Sequence, residues 1–316
     1  MNRFIALIVA ALTTGGGAGL RVRPEAAAPR DVRLIGRWDI TITTPTGSAP
    51  SWLEIDSSGR EALVGRITGI VGSARPITEI IVAGDSLRFA VPRQWGNGNG
   101  ELRVVGRLQG NRLVGRMTFP DNSTRSWQGV RAPLLVRAHA PAWGTPITLL
   151  DQNDLNGWLA MGSPNQWVVH NGVLSSPKSG VNLRTSRTFS DFKLHIEFRY
   201  PKESNSGVYL RGRHEVQIED DYGQAPDSHR FSGVYGFISP SEIAAKPAGQ
   251  WQTYDITLIG RMVTVVANGK MVICNQEIPG ITGGAIDSNE GEPGPIYLQG
   301  DHGPVEYRNI VITPAR

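Results

Sequence analysis

The sequence has only one cysteine, Cys274. A single cysteine excludes an internal disulfide and any zinc site built from several thiolates. No apolar run approaches the ~20 residues that a membrane-spanning helix requires. Stability must therefore come from packed apolar cores.

The sequence also lacks a basic stripe. Its formal net charge is +4, but residues 1–30 hold four Arg and one Glu, which leaves +1 on the remainder. The other basic side chains are mostly scattered Arg, so nucleic acid is not an expected partner. Esterase, kinase and dehydrogenase functions lack support, because no nucleophile elbow, phosphate loop or dinucleotide fingerprint occurs.

The first 28 residues have the pattern of a secretory signal peptide. Arg3 precedes an apolar run from Phe4 to Leu12, and small residues follow up to Ala28. This order of charged, apolar and small residues is typical of a cleaved leader. We expect a secreted or periplasmic protein.

The remainder predicts an all-β chain, since 38 Gly and 21 Pro separate many short alternating runs. Residues 31–132 contain eight such runs and predict a small antiparallel β-barrel. Its Gly36-x-Trp38 opening is weakly similar to that of lipocalin-like barrels. Such a barrel can hold a small apolar ligand, but more often serves as a spacer or an interaction surface. Trp95, in a Gly-rich loop, either stacks on a sugar or packs against its own barrel.

Residues 133–146 are rich in Pro and predict a linker. Residues 147–316 contain many strands with long polar connections, which predicts a two-sheet jelly-roll sandwich. Within it, Asn171-Gly172 predicts the turn of a hairpin between Trp167 and Leu174.

One predicted hairpin carries a row of polar side chains. Its strands are 208–211 and 214–219, joined by a two-residue turn at Gly212-Arg213. Because side chains alternate along a strand, Glu215, Gln217 and Glu219 share one face, with Arg211 on the partner strand. Such a row could hydrogen-bond a polyhydroxylated ligand, and it is equally typical of the solvent side of an ordinary sheet.

Four carboxylates suggest a cation. Glu219, Asp220, Asp221 and Asp301 are hard oxygen ligands suited to a divalent metal such as calcium. Acidic loops are also commonly just solvated.

Five segments resemble the motifs of one family in order. They are Leu149–Trp158, Asn205–Arg211, Glu215–Asp220, Trp251–Asp255 and Gly294–Ile310. The resemblance is to the DUF1080 or 3-keto-disaccharide hydrolase family, and it covers the whole second domain. It implies a concanavalin-like jelly roll in a secreted or periplasmic bacterial protein. The implied activity is cleavage of glycosides whose sugar carries a ketone at carbon 3.

The sequence departs from the family's Leu-Gln-Asp-His-Gly pattern by one residue. Gly300 is inserted between Gln299 and Asp301, and we expect a bulge to absorb it. The insertion bears on His302, because it can change the direction of that side chain.

The resemblance also implies a set of site residues. Glu215 and His302 are the expected base and acid, in an order that the sequence does not assign, and Asp220 is the expected third catalytic group. The expected substrate-binding residues are Arg211, Gln217, Tyr235, Gln299 and Asp301. Structural roles compete with these assignments: His302 could cap a turn, Asp220 could end a strand, and Tyr235 could belong to the core.

The chemistry expected from a 3-keto sugar differs from ordinary glycoside hydrolysis. A ketone at carbon 3 acidifies the hydrogen at carbon 2, so one base and one acid suffice for elimination, and water then adds back. Ordinary hydrolysis uses two carboxylates about 5–10 Å apart. Glu215 and Glu219 lie about 13 Å apart on an extended strand, too far to form that pair.

Two other functions compete with the enzyme. A jelly roll serves equally as a non-catalytic, lectin-like carbohydrate-binding protein of the envelope. Alternatively, the barrel binds a protein partner that the sequence does not identify, and the second domain has no catalytic role.

Overall fold

The computed structural model describes residues 32–95 and 100–316. The predicted signal peptide lies outside the described residues, as does most of the Gly-rich stretch that follows Trp95. In the two described ranges, every regular element is a β-strand. That part of the chain therefore contains no helix long and apolar enough to cross a bilayer. The expected all-β class is confirmed.

The first eight strands form a closed antiparallel barrel, in which each strand pairs with the next and the last pairs with the first. They are β1 (Gly36–Thr44), β2 (Gly47–Ser58), β3 (Ala62–Thr68), β4 (Ala74–Ala83), β5 (Ser86–Pro92), β6 (Glu101–Gln109), β7 (Arg112–Thr118) and β8 (Thr124–Arg131). Alternating apolar side chains fill its interior. Trp38 is fully buried, and its indole N–H donates to the Leu34 carbonyl at 3.0 Å.

The remaining strands form two sheets. The five-stranded sheet has the order β10 (Trp158–Ala160), β13 (Leu183–Thr185), β20 (Tyr297–Leu298), β15 (Asn205–Leu210) and β16 (His214–Glu219). The eight-stranded sheet has the order β11 (Val168–His170), β12 (Val173–Ser176), β21 (Val305–Pro314), β14 (Phe192–Arg199), β17 (Gln252–Ile259), β18 (Met262–Ala267) and β19 (Lys270–Glu277), and β9 (Ile147–Thr148) pairs with β21.

One apolar core joins these two sheets, as a sandwich requires. Aromatic rings at its centre pack closely, with the Phe198 and Tyr254 centroids 4.6 Å apart. The predicted Asn171-Gly172 turn is confirmed, since both residues have positive φ, 51° and 74°.

The hairpin of β15 and β16 differs from the prediction by one residue. Leu210 pairs with His214, so the turn has three residues rather than the expected two. Arg211 and Gly212 have φ values of 53° and 66°. Because Arg211 adopts this left-handed conformation, it leaves the strand, and its side chain departs from the polar row.

The barrel packs directly against loops of the second domain. Trp52 of the barrel is fully buried and meets the Phe237 ring edge-to-face at 5.3 Å. The Gly284 amide donates to the Ile70 carbonyl at 3.0 Å. The barrel therefore covers the loops that border β16.

Candidate active site

A cavity of about 300 Å³ lies on the face of the five-stranded sheet that points away from the sandwich core. Side chains of β15, β16 and β20 form its floor, and loops of the second domain and of the barrel complete it. The lining residues are Val71, Gly72, Trp95, Met161, Asn182, Asn205, Tyr209, Glu215, Gln217, Tyr235, Gly283, Gly284, Tyr297, Gln299, Asp301 and His302.

Two residues of the polar row of β16 are buried rather than solvated, and the third, Glu219, is half-buried. Glu215 and Gln217 are 4% and 3% exposed. The segment that contains Tyr235 pairs with the free edge of β16, since the Tyr235 amide donates to the Glu215 carbonyl at 3.0 Å, and Tyr235 lines the same cavity as both side chains. The face is therefore a lined pocket and not the wet side of a sheet.

Glu215 is the carboxyl group of this pocket whose pKa burial raises. Burial raises its pKa to about 8, although the nearby Tyr209 hydroxyl and the positive charge of His302 both act to lower it. Tyr209 pairs with Glu215 in the strand register, and its hydroxyl lies 3.0 Å from the Gly283 carbonyl. A carboxyl group with this pKa changes its protonation state near neutral pH, as a general acid or base must.

His302 lines the same pocket and is held by Asp301. Its Nδ1 lies 2.7 Å from Asp301 Oδ1. The hydrogen bond to Asp301 raises the pKa of His302, although partial burial opposes it. Since the carboxylate occupies Nδ1, Nε2 is left to act on a ligand.

The inserted Gly300 is absorbed just before His302. Its amide donates to Asn182 Oδ1 at 2.7 Å, and its carbonyl accepts from the Gly180 amide at 2.8 Å. Asn182 in turn donates to the Tyr297 hydroxyl at 2.7 Å. The insertion thus leaves His302 in the pocket.

Gln299 provides an acceptor with no protein partner. Its side chain is 7% exposed, and within the described part of the chain its Oε1 has no hydrogen-bond partner. A buried oxygen without a partner costs free energy unless a ligand or water donates to it. Gln299 is therefore suited to bind a ligand hydroxyl.

Two predicted site residues, Arg211 and Asp220, lie outside the pocket that the others share. Arg211 is 1% exposed and donates to the Gly260 carbonyl at 2.7 Å, because the turn directs it into the interior. Asp220 follows the row by one residue and so faces away. It accepts from the Glu203 amide at 3.0 Å.

The carboxylates predicted to hold a cation have separate partners. Asp221 accepts from the Phe231 amide and Glu219 from the Gln217 side chain, whereas Asp301 holds His302. Among the described residues, no three His, Cys, Asp or Glu side chains are grouped as metal ligands. Binding of a divalent cation such as calcium stays a prediction. It is tested by measuring activity before and after dialysis against EDTA.

Sequence reasoning missed several lining residues. Tyr209 and Tyr297 stack with centroids 4.3 Å apart, and Tyr209 lies opposite Glu215 on the neighbouring strand. Tyr209 could have been predicted from the hairpin register, because a residue directly opposite Glu215 points to the same face of the sheet. Asn182, Met161 and the barrel residues gave no comparable signal.

The fold and this pocket define a glycosyl-hydrolase-like protein of the all-β class. A profile of 3-keto-alpha-glucoside-1,2-lyase-like domains matches residues 145–313, and the chain belongs to that family. No curated protein matches the chain.

Two solved structures from Parabacteroides distasonis ATCC 8503, both described as candidate glycosyl hydrolases, are similar to this chain. The first is 27% identical, with 58% of this chain and 96% of that chain covered and a TM-score of 0.46. The second is 23% identical, with 54% and 98% covered and a TM-score of 0.43.

Proposed function

We propose that this protein cleaves glycosides of 3-keto sugars by elimination followed by hydration. The observation that carries the proposal is the pairing, in one pocket, of a buried Glu215 with a pKa of about 8 and a His302 held by Asp301. Burial raises the pKa of Glu215, and the hydrogen bond to Asp301 raises that of His302. The other carboxylate in the pocket, Asp301, is hydrogen-bonded to His302. The pocket therefore lacks the two free carboxylates that ordinary hydrolysis uses.

In the proposed first step, the Glu215 carboxylate removes the proton from carbon 2. The C2–H electrons form a C1=C2 double bond conjugated with the ketone, and the C1–O bond breaks. His302, as the imidazolium, donates a proton from Nε2 to the departing oxygen, so the aglycone leaves as an alcohol. Water then adds its oxygen to carbon 1 and gives up a proton to the neutral His302, while Glu215 returns its proton to carbon 2, which completes a net hydrolysis and restores both groups.

The assignment of base and acid rests on charge. A raised pKa makes Glu215 a stronger base than an ordinary carboxylate, and Asp301 favours the charged form of His302. Gln217 and Gln299 are placed to hold hydroxyls, and Tyr235 lies at the wall. We further propose that the protein is exported, as its leader pattern predicts.

The test is release of aglycone from a 3-keto-glucoside and from its unoxidised parent. We expect turnover of the keto substrate alone, with a primary isotope effect for deuterium at carbon 2. Glu215→Gln should abolish it, whereas Glu219→Gln, on the same strand but outside the cavity, should retain it. Binding without turnover of either substrate would overturn the proposal in favour of a lectin-like protein.

The roles are tested by changing the leaving group. A His302→Gln variant should lose much less activity on a nitrophenyl 3-keto-glucoside than on a methyl one, because nitrophenolate departs without a proton. Glu215→Gln should be inactive on both, since carbon 2 must still lose its proton. The opposite pattern would exchange the two roles.

A further inference from the structure

The cavity is completed by the barrel. Val71 and Gly72, between β3 and β4, and Trp95, after β5, line it together with Glu215 and His302. Backbone contact fixes the first of these loops to the second domain. A Cβ on Gly283 would overlap the Gly72 carbonyl, and one on Gly236 would lie 2.5 Å from the Ser73 Cβ.

Trp95, which follows β5, is held against the loop between β3 and β4. Gln94 accepts from the Ser73 amide at 3.1 Å and donates to the Ser73 hydroxyl at 2.9 Å. The Trp95 ring also packs on Gly72, where a Cβ would lie 2.6 Å from its Cη2. The indole nevertheless remains 56% exposed, so part of its surface is free to meet a ligand.

The lining residues differ in exposure: the floor is buried, and at the rim the apolar Val71, Met161 and Trp95 lie with the exposed Asp301 and His302. Glu215 and Gln299 are at most 7% exposed, whereas Val71, Met161 and Trp95 are 61%, 40% and 56% exposed. A sugar whose carbon 2 reaches Glu215 must occupy the floor. Its aglycone then extends toward the rim.

We propose that Trp95 determines aglycone specificity, and that the preferred substrates carry an aromatic or glycosyl aglycone that stacks on its indole. This rests on the proposed function, and it gives the barrel a role in the site. Flat apolar faces of sugar and phenyl rings pack well on indole, and a methyl group offers too little surface to do so.

The experiment compares phenyl and methyl 3-keto-glucosides with the full chain and Trp95→Ala. We expect kcat/KM for the phenyl substrate to fall about 10-fold, mainly through KM, and for the methyl substrate less than about 3-fold. Trp95→Phe should restore most of the phenyl preference. Tyr222→Ala, which removes a 60% exposed ring elsewhere, should have no effect. Equal losses on both substrates, or none, would overturn the inference.

A second readout separates this inference from the proposed function. Calorimetric titration of Glu215→Gln with the phenyl and methyl 3-keto-glucosides measures binding without turnover. We expect tighter phenyl binding that Trp95→Ala abolishes. If the wild-type protein has no activity but this difference persists, the proposed function fails and the stacking role stands. If the wild-type protein turns over the keto substrates but the phenyl and methyl compounds bind equally well, the stacking role is contradicted and the proposed function stands.

Discussion

The side chain of Glu215 lies against Gly207 of the neighbouring strand. A Cβ at position 207 would lie 2.9 Å from Glu215 Cγ and would overlap Oε1. The two residues are diagonal neighbours, since Gly207 pairs with Gln217 and Tyr209 pairs with Glu215. Glycine at 207 therefore leaves the space in which the carboxyl group rests.

Gly207→Ala should move this carboxyl group and reduce activity with little loss of stability. The clash is with side-chain atoms of Glu215 and not with backbone, so a change in the Glu215 side-chain conformation can relieve it. A displacement of about 1 Å at a reacting group can cost ~100-fold in rate, so we expect kcat to fall between about 10- and 100-fold. The measurement is kcat on a 3-keto-glucoside beside a urea unfolding curve. In the Glu215→Gln background the same substitution should have no further effect on turnover.

Asp301→Asn should change the pH dependence of the reaction. The Asp301 carboxylate raises the pKa of His302, so its removal lowers that pKa. If the imidazolium is the acid, the limb on which kcat/KM falls with rising pH should move to lower pH. A matched control is Asp227→Asn, which breaks a similar 2.7 Å contact to His229 outside this cavity. An unmoved limb in Asp301→Asn would contradict the role of His302.

Local patterns predict much of this molecule. Alternation is enough for the eight barrel strands and for the shared face of Glu215 and Gln217, because each depends only on neighbours along one strand. The motif order places Tyr235, Gln299 and His302 in the pocket through the family resemblance. These features require no knowledge of long-range packing.

The placements of Arg211 and Trp95 depend on three-dimensional geometry that the sequence pattern does not contain. The alternating pattern predicts that Arg211 is a strand residue. In the structure its φ of 53° takes it out of the strand, and its side chain points into the interior. Trp95 joins the pocket because the barrel docks on Gly283, a contact between residues about two hundred positions apart. No periodicity within either domain encodes that docking.

Gly300→Ala should destabilise the protein. A Cβ there would lie 2.5 Å from the Val181 carbonyl oxygen and 2.7 Å from the Trp167 ring. Because one of these neighbours is backbone, the strain is not relieved by a rotamer change, and we expect a loss of about 1–3 kcal/mol in the free energy of unfolding. Urea unfolding measures it. An unchanged midpoint would mean that the segment before His302 has more room than the structure gives it.

Asp39→Asn should make the free energy of unfolding of the protein less dependent on pH. Asp39 of β1 is 4% exposed and lies beside Glu290 of the second domain, whose carboxylate is held by Arg261. Burial and the nearby Glu290 raise the pKa of Asp39 to about 9. The folded protein therefore keeps a proton that the unfolded chain releases near its ordinary pKa of about 4.

The sign of this effect follows from proton linkage. Between about pH 4 and pH 9 the folded state binds the extra proton, so each unit of rising pH removes up to ~1.4 kcal/mol of stability through this group. Asparagine cannot titrate, so Asp39→Asn should lose less stability than the wild type between pH 5 and pH 8. Urea unfolding at both pH values measures the difference, with Asp56→Asn, an exposed carboxyl on β2, as the control. Equal pH dependence in Asp39→Asn and the wild type would show that Asp39 is ionised in the folded protein.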